Sequence, residues 1–302
     1  ELTRSARLPP TLVAYAYMLV TMLCWSGNAI AGQFAIGRVS PLALVMLRWL
    51  LVSICLGLVY RRELVRTWPV VRAAPLRMIA MALVGFTAFN SLFYIAAHHT
   101  TGLNIGILQG SIPVIVLILS VLAWRTRIGV LQVAGVTVTL VGVIAIACQG
   151  DIDRLLRLQF NPGDAIMLLA CLFYSAYTAG LKVRPEMPGL VFLAWLSIIA
   201  ALASLPLAAF EWLRGDLLWP TPEGWLVTVW IALFPSFLAQ IFFIRGVELI
   251  GPERAGVFAN LVPIFAAILA VLLLSERFET YHAVALALVL GGIALSERGK
   301  PA

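Results

Sequence analysis

Apolar residues run through this chain in long stretches, at about 12–36, 41–60, 76–97, 101–124, 128–148, 163–181, 189–210, 224–246, 252–274 and 280–296. Each approaches the ~20 residues an α-helix needs to cross a bilayer. None alternates strictly as a barrel strand would, and in lipid only helices and closed barrels satisfy their own backbone groups. The pattern predicts an all-α polytopic membrane protein with ten transmembrane helices joined by short links.

The stretches form two sets. Residues 106–124, "GILQGSIPVIVLILSVLAW", slide by 150 positions onto residues 256–274, "GVFANLVPIFAAILAVLLL". Gly106 then meets Gly256, Pro113 meets Pro263 and Ile118 meets Ile268; further on, Arg127 meets Arg277 and Gly142 meets Gly292. This divides the chain into a first five-helix repeat at 11–148, a polar link at 149–162 and a second five-helix repeat at 163–296. Five is odd, so the second copy would enter the membrane from the opposite face, giving two inverted repeats around a central cavity. The link, "QGDIDRLLRLQFNP", is partly amphipathic and is expected to form a short interfacial helix.

Polar positions inside the apolar stretches mark faces. Gly106, Gln109, Gly110 and Pro113 share one side of a helix, and their counterparts are Gly256, Ala259, Asn260 and Pro263. Proline has no N–H, so the helix-breaking Pro113 and Pro263 would leave the carbonyls of Gln109 and Ala259 without helical partners. Those breaks either supply polar backbone to a site near the membrane midplane or only kink the helices against neighbours. Similar stripes are Thr21, Trp25, Asn28 and Gly32; Thr87, Asn90, Ser91, Tyr94 and His98; Tyr174, Tyr177 and Thr178; and Ser236, Gln240 and Phe243. Amides and phenols are costly against lipid, so these faces should turn inward. The expected substrate cavity is lined by Trp25, Asn28, Asn90, Tyr94, Gln109, Tyr174, Tyr177, Gln240, Phe243 and Asn260. The alternative is a dry interior in which the same groups bond one helix to the next.

Composition agrees, with 62% hydrophobic and 12% charged residues, far from the roughly 25% charged share of soluble domains. The net charge of +7 changes meaning once it is sorted by loop. With the N-terminus inside, one side receives Arg4, Arg7, Arg61, Arg62, Arg66, Arg72, Arg77, Arg125, Arg127, Lys182, Arg184, Arg245, Arg254, Arg298 and Lys300. The other receives only Arg38, Arg154, Arg157, Arg214 and Arg277, together with the acidic Asp151, Asp153, Asp164, Glu211, Asp216 and Glu223. Both termini are therefore expected in the cytoplasm of a cell with its plasma membrane (a bacterial inner membrane) around them. The basic 61–77 cluster reads as a topology signal facing anionic lipid, and no nucleic-acid partner is needed.

Arg48 lies about seven residues into the second stretch, or roughly 10 Å at 1.5 Å per residue. It either snorkels outward or serves as a cation for a substrate carboxylate or a structural carbonyl. No Asp or Glu is placed mid-span, while Glu248, Glu253 and Arg254 crowd one link, where ion pairs could act as a gate. His98, His99 and His282 are candidates for proton coupling or for structural roles near span ends. Cys24, Cys55, Cys148 and Cys171 lack metal spacing and read as free thiols. The chain carries no GxSxG, HExxH or GxxxxGK[ST] signature, so no catalysis, metal, cofactor or intrinsic ATP hydrolysis is expected.

In order and spacing, "CWSGNAIAGQFAI", "PLALVMLRWLLV", "FNSLFYIAAHHTTGLNIGILQGSIPV" and "GPERAGVFANLVPIFAAILAVLLLSERF" resemble the drug/metabolite transporter superfamily, its EamA family and, more narrowly, the YddG type of amino-acid exporter. The resemblance covers residues 11–296. It implies a ten-helix basket exporting small metabolites, most readily aromatic or other zwitterionic amino acids, by alternating access. Asn28, Tyr94, Gln109, Gln240 and Asn260 would be cavity residues, with Arg48 a landmark of the second helix. The departure is Arg125-Thr126-Arg127, where relatives carry an acid like Glu276. The expected partners are a small-molecule substrate and the lipid bilayer, in a chain compatible with a monomer. Export of drugs or organic cations is the alternative, and a membrane-embedded enzyme or passive channel is more distant.

Overall fold

The computed structural model describes residues 9–125, 129–151, 153, 161–250 and 258–298, and every regular element among them is helical. The helices are α1 (Pro10–Ala35), α2 (Pro41–Val59), α3 (Arg61–Ala73), α4 (Pro75–Ala97), α5 (Gly102–Gln109), α6 (Ile112–Trp124) and α7 (Val130–Ala147), then α8 (Pro162–Gly180), α9 (Gly189–Arg214), α10 (Pro222–Ile250), α11 (Leu261–Leu274) and α12 (Thr280–Arg298). Proline at the first position starts α1, α2, α4, α8 and α10, where its missing N–H costs nothing and its fixed φ suits the helix. Eight stretches are long and apolar enough to cross a membrane, with α5 and α6 counting as one, and α11 and α12 are shorter apolar helices.

Three features recur at an offset near 150 residues. First, α4 and α10 each contain a π-helical turn, at Leu83–Ala88 and Ala232–Leu238. Second, α5 and α6 are separated at Gly110-Ser111, and α11 begins at Leu261, so Pro113 and Pro263 both sit just inside a helix start. Third, α6 and α11 end on left-handed residues, Arg125 (φ 50°) and Ser275 (φ 54°).

Packing follows the same pairing. The helices α7 and α12 meet along glycines: a Cβ on Gly135 would lie 2.5 Å from the Gly292 carbonyl oxygen, and one on Gly142 3.0 Å from that of Ala285. Small residues allow this close backbone approach, which drives helix association in lipid. Ser26 of α1 donates to the Val262 carbonyl at 3.0 Å, and Ser175 of α8 donates to the Ile112 carbonyl at 3.3 Å. Cys171 also reaches the Leu108 carbonyl, at 3.6 Å.

The sequence expectations need four corrections. The basic 61–77 segment is not a loop but contains α3, whose Trp68 packs on Trp195 with ring centroids 5.6 Å apart. The carbonyl of Ala259 is not free, because the Val262 N–H bonds it at 3.1 Å in a tighter turn. Glu211 is not a loop acid: it is buried and accepts from Ser40 and from the Leu42 and Ala43 N–H groups, capping α2. Asp164 is likewise buried, inside the first turn of α8. Most of the expected interfacial helix at 149–162, together with Glu253 and Arg254, lies outside the described residues. The four cysteines are free.

Candidate functional site

Four residues of the midspan stripes, Asn28, Asn90, Tyr94 and Ser236, gather around Arg48. Its guanidinium does not snorkel toward an end of the span: Arg48 is only 6% exposed and turns into the bundle. Nε donates to Ser236 Oγ at 2.7 Å, and Nη1 donates to Asn90 Oδ1 and to the Tyr94 hydroxyl, both at 2.6 Å, with Asn28 Oδ1 at 3.4 Å. The Tyr94 hydroxyl in turn donates to Asn28 Oδ1 at 2.9 Å. Asn28 and Tyr94, expected to face one chamber, instead bond directly to each other, and both accept from Arg48.

The two π turns explain why the acceptors stand ready. Pro235 has no N–H for the Ile231 carbonyl four residues earlier. The Ser236 hydroxyl donates to that carbonyl at 2.8 Å, which leaves its oxygen lone pairs for Arg48. In α4 the Phe86 carbonyl lies within the widened turn, and Asn90 Nδ2 donates to it at 2.6 Å, which fixes the amide so that Oδ1 faces Arg48. In each turn a side chain that hydrogen-bonds to a carbonyl of its own helix also presents an oxygen to the guanidinium. Such local π turns occur often at functional sites.

Every acceptor in this cluster is neutral. Among the described residues no carboxylate pairs with Arg48; the ion pairs there are the exposed Arg214–Asp216 and Arg245–Glu248. The Trp49 ring lies 5.0 Å from the guanidinium carbon and the Tyr94 ring 6.0 Å from it, so the charge also meets π faces. Trp49 Nε1, Thr87 Oγ1 and Ser91 Oγ, on the same two helices as Arg48 and Asn90, are buried with no hydrogen-bond partner. Buried polar atoms are normally satisfied, so such groups mark places that water or a ligand can fill.

The other predicted residues fall into three groups. Tyr174 and Tyr177 are half-buried beside Phe89 and Phe86: Tyr174–Phe89 centroids are 4.8 Å apart, Tyr177–Phe86 5.3 Å and Tyr174–Tyr177 5.7 Å. A run of rings continues from Phe89 through Phe93 to Tyr94, at 5.7 and 5.3 Å, and so reaches Arg48. Trp25 and Phe243 belong to a separate apolar cluster with Met18, Met22 and Val262, their centroids 5.2 Å apart, and Trp25 Nε1 donates to the Pro235 carbonyl at 3.2 Å. Gln240 and Asn260 are half-buried, with side chains that make no hydrogen bond to a described residue, and Gln109 Nε2 is buried without a partner. The sequence reading overlooked Ser236 as an Arg48 ligand, as well as Trp49, Phe86 and Phe89; Pro235 next to Ser236 was the available signal.

A cavity of about 520 Å³ lies elsewhere, between α1, α10 and α11, lined by Leu23, Gly27, Phe34, Leu226, Trp230 and Leu273 among others. Its walls are almost wholly apolar, and none of the sequence-predicted residues lines it.

The profile of the family described as "EamA-like transporter family" matches residues 12–148 and again residues 161–298. The chain is 26% identical over 284 residues to the uncharacterized transporter YetK of Bacillus subtilis, spanning 93% of this chain and 85% of that one. It is 22% identical over 286 residues to an uncharacterized transporter of Archaeoglobus fulgidus, covering 92% and 95%. It is 21% identical over 295 residues to the uncharacterized inner membrane transporter YicL of Salmonella typhimurium, covering 92% and 93%. One crystal structure superposes with a TM-score of 0.63 at 20% identity over 96% of each chain, a likeness of fold.

Proposed function

This chain belongs to the EamA-like transporter family, and from that premise we propose that it is a secondary transporter exporting small carboxylate-bearing metabolites, zwitterionic amino acids first among them. The observation that carries the substrate class is Arg48, a buried cation surrounded by neutral acceptors only. A charge inside a membrane is expensive, and such residues pair with something or mark a substrate path. A solute carboxylate supplies the missing negative charge, and the planar guanidinium suits two-point recognition of it. The unsatisfied Trp49, Thr87 and Ser91 groups offer further donors near by, while Tyr174, Tyr177 and Phe89 offer π faces for an ammonium group. An organic-cation exporter would want a carboxylate where this chain places Arg48.

The architecture we propose is ten transmembrane helices arranged as two inverted five-helix repeats, with both termini in the cytoplasm. The two matched segments, the paired π turns and the reciprocal Ser26–Val262 and Ser175–Ile112 bonds support it. In such a fold two helix groups rock about a central site so that one side opens at a time. Breaking the Arg48–Ser236 and Arg48–Tyr94 bonds in favour of a solute carboxylate would loosen α2 from α10 and α4, linking binding to that movement.

The test is counterflow in proteoliposomes. Labelled amino acids, aromatic ones included, should accumulate against an unlabelled internal pool at a rate that saturates. If no amino acid and no simple carboxylate moves faster than in empty vesicles, the substrate class is wrong.

A further inference from the structure

A buried ionisable cluster lies away from Arg48, at the end of the molecule where α4 turns into α5 and where α8 and α12 begin. Asp164 is fully buried there. Its carboxylate accepts from the Thr100 hydroxyl, and both its oxygens lie 3.2 Å from Asn104 Nδ2. Asn104 Oδ1 lies 3.2 Å from His282 Nε2, and His282 Nδ1 accepts the Glu279 N–H at 2.9 Å. That backbone bond requires Nδ1 to be unprotonated, so His282 is neutral and its one proton, on Nε2, points at Asn104. His282 therefore orients the Asn104 amide toward Asp164 without supplying a positive charge.

Among the described residues, the remaining charged and titratable groups at this end do not balance Asp164 either. His98 and His99 at the end of α4 are exposed; Glu276 is engaged with the Gly102 and Leu103 N–H groups at 2.8 Å. Glu279 and Arg277 are exposed, Tyr281 lies against the His282 ring, and Cys148 and Asp151 lie at the end of α7. No described residue forms an ion pair with Asp164. An ionised carboxylate buried among neutral donors is held at a desolvation cost that a bound proton removes.

The other half of the chain shows that this cap does not need a histidine. Gln132 stands 150 positions before His282 and makes the same cap, its Oε1 accepting the Gly129 N–H at 3.0 Å. Helix capping explains a residue of this shape at position 282; it does not explain an Asp–Asn–His chain at one end only.

We propose that Asp164 is a proton-binding site that ties closure of this end of the molecule to the pH of the solution it faces. Buried in the closed state, Asp164 carries the proton; when the end opens and water enters, the proton returns to solvent and the carboxylate ionises. On protonation one Oδ gains the hydrogen and the Thr100 bond reverses, its hydroxyl accepting instead of donating. Thr100 sits at the α4–α5 corner, where Gln33 Nε2 of α1 clasps the Thr100 carbonyl at 2.7 Å and that of Ala97 at 3.0 Å. The change in Asp164 therefore reaches the contact between α1 and the α4–α5 corner. The inference rests on the transporter reading for its purpose, but proton binding can be read without any substrate.

The experiment is infrared difference spectroscopy of the whole protein in nanodiscs between about pH 5 and 8. The wild type should gain one protonated-carboxyl band on acidification, and Asp164→Asn should lose that band. His282→Gln, which copies the Gln132 cap, should keep it. In parallel, a cysteine replacing buried Ala97, in a chain lacking the four native cysteines, is labelled by an impermeant maleimide and normalised to one replacing exposed Asp216. Labelling should slow about tenfold at acid pH (about 1.4 kcal/mol), and with Asp164→Asn it should not vary with pH. The proposal is overturned if no carboxyl band titrates, if the band survives Asp164→Asn, if the pH response vanishes with His282→Gln, or if labelling is pH-independent in the wild type. A failure of counterflow with a titrating band would instead strike the substrate reading alone.

Discussion

Arg48 Nη1 and Asn90 Oδ1 lie 2.6 Å apart between α2 and α4, and that hydrogen bond holds a full positive charge in the interior without a described carboxylate to balance it. Arg48→Gln removes the charge while keeping a planar donor. Hydrogen bonds to charged groups contribute about 1.5–3 kcal/mol, so counterflow efficiency for carboxylate solutes should fall roughly tenfold to a hundredfold, with Arg48→Lys intermediate. Melting curves of the variants separate this from misfolding. Transport of a carboxylate at the wild-type rate by folded Arg48→Gln would make Arg48 a structural cation only.

Ser236 serves two partners at once, donating to the Ile231 carbonyl and accepting from Arg48 Nε. Ser236→Ala strands the Arg48 Nε donor, and a buried unsatisfied group costs about 1–3 kcal/mol. The variant should lose thermal stability in detergent, and its loss should shrink when combined with Arg48→Gln, because Nε is then absent. Strict additivity of the two losses in a double-mutant cycle would mean that the 2.7 Å contact carries no coupling.

Eight of the ten expected spans were legible because apolar runs of bilayer length leave few alternatives, and Pro113 and Pro263 announced the breaks. What the breaks do was not legible: Ser26 and Ser175 come from the other half of the chain, and local sequence does not say which helix will lie alongside. The direction of Arg48 had the same difficulty, since snorkelling and inward burial differ only in what α4 and α10 present to it. Asp164 and Glu211 were read as loop acids because they sit at the margins of apolar runs, where a shift of one turn separates water from core. The π turns left little trace beyond Pro235, and α3 was hidden by its charge.

Gly292 and Gly291 are neighbours in α12 with opposite surroundings. A Cβ on Gly292 would lie 2.6 Å from the Gly135 carbonyl oxygen, whereas one on Gly291 would meet nothing within 4 Å. Gly292→Val should therefore cost about 1–3 kcal/mol through overpacking, and Gly291→Val should be near neutral. Thermal denaturation of the two variants side by side checks this. Equal losses would show that the α7–α12 approach does not set the cost.

The aromatic run offers a test of how an ammonium group would be held. Tyr174 is a cleaner probe than Tyr177, whose ring lies so close to Gly85 that a Cβ there would meet its Cβ at 2.8 Å; replacing Tyr177 would disturb α4 itself. Tyr174 is half-buried, tilted against Phe89 at 4.8 Å and connected through Phe89, Phe93 and Tyr94 to the Arg48 cluster. Cation–π contacts contribute about 0.5–2 kcal/mol, so Tyr174→Leu should raise KM for a zwitterionic amino acid roughly twofold to thirtyfold. An analogue that keeps the carboxylate but lacks the amine should change far less, because its remaining charge is addressed to Arg48. Tyr174→Phe separates the ring from the hydroxyl and should behave like the wild type toward both solutes. If Tyr174→Leu weakens both by the same factor, the ring only packs, and the amine must be recognised elsewhere.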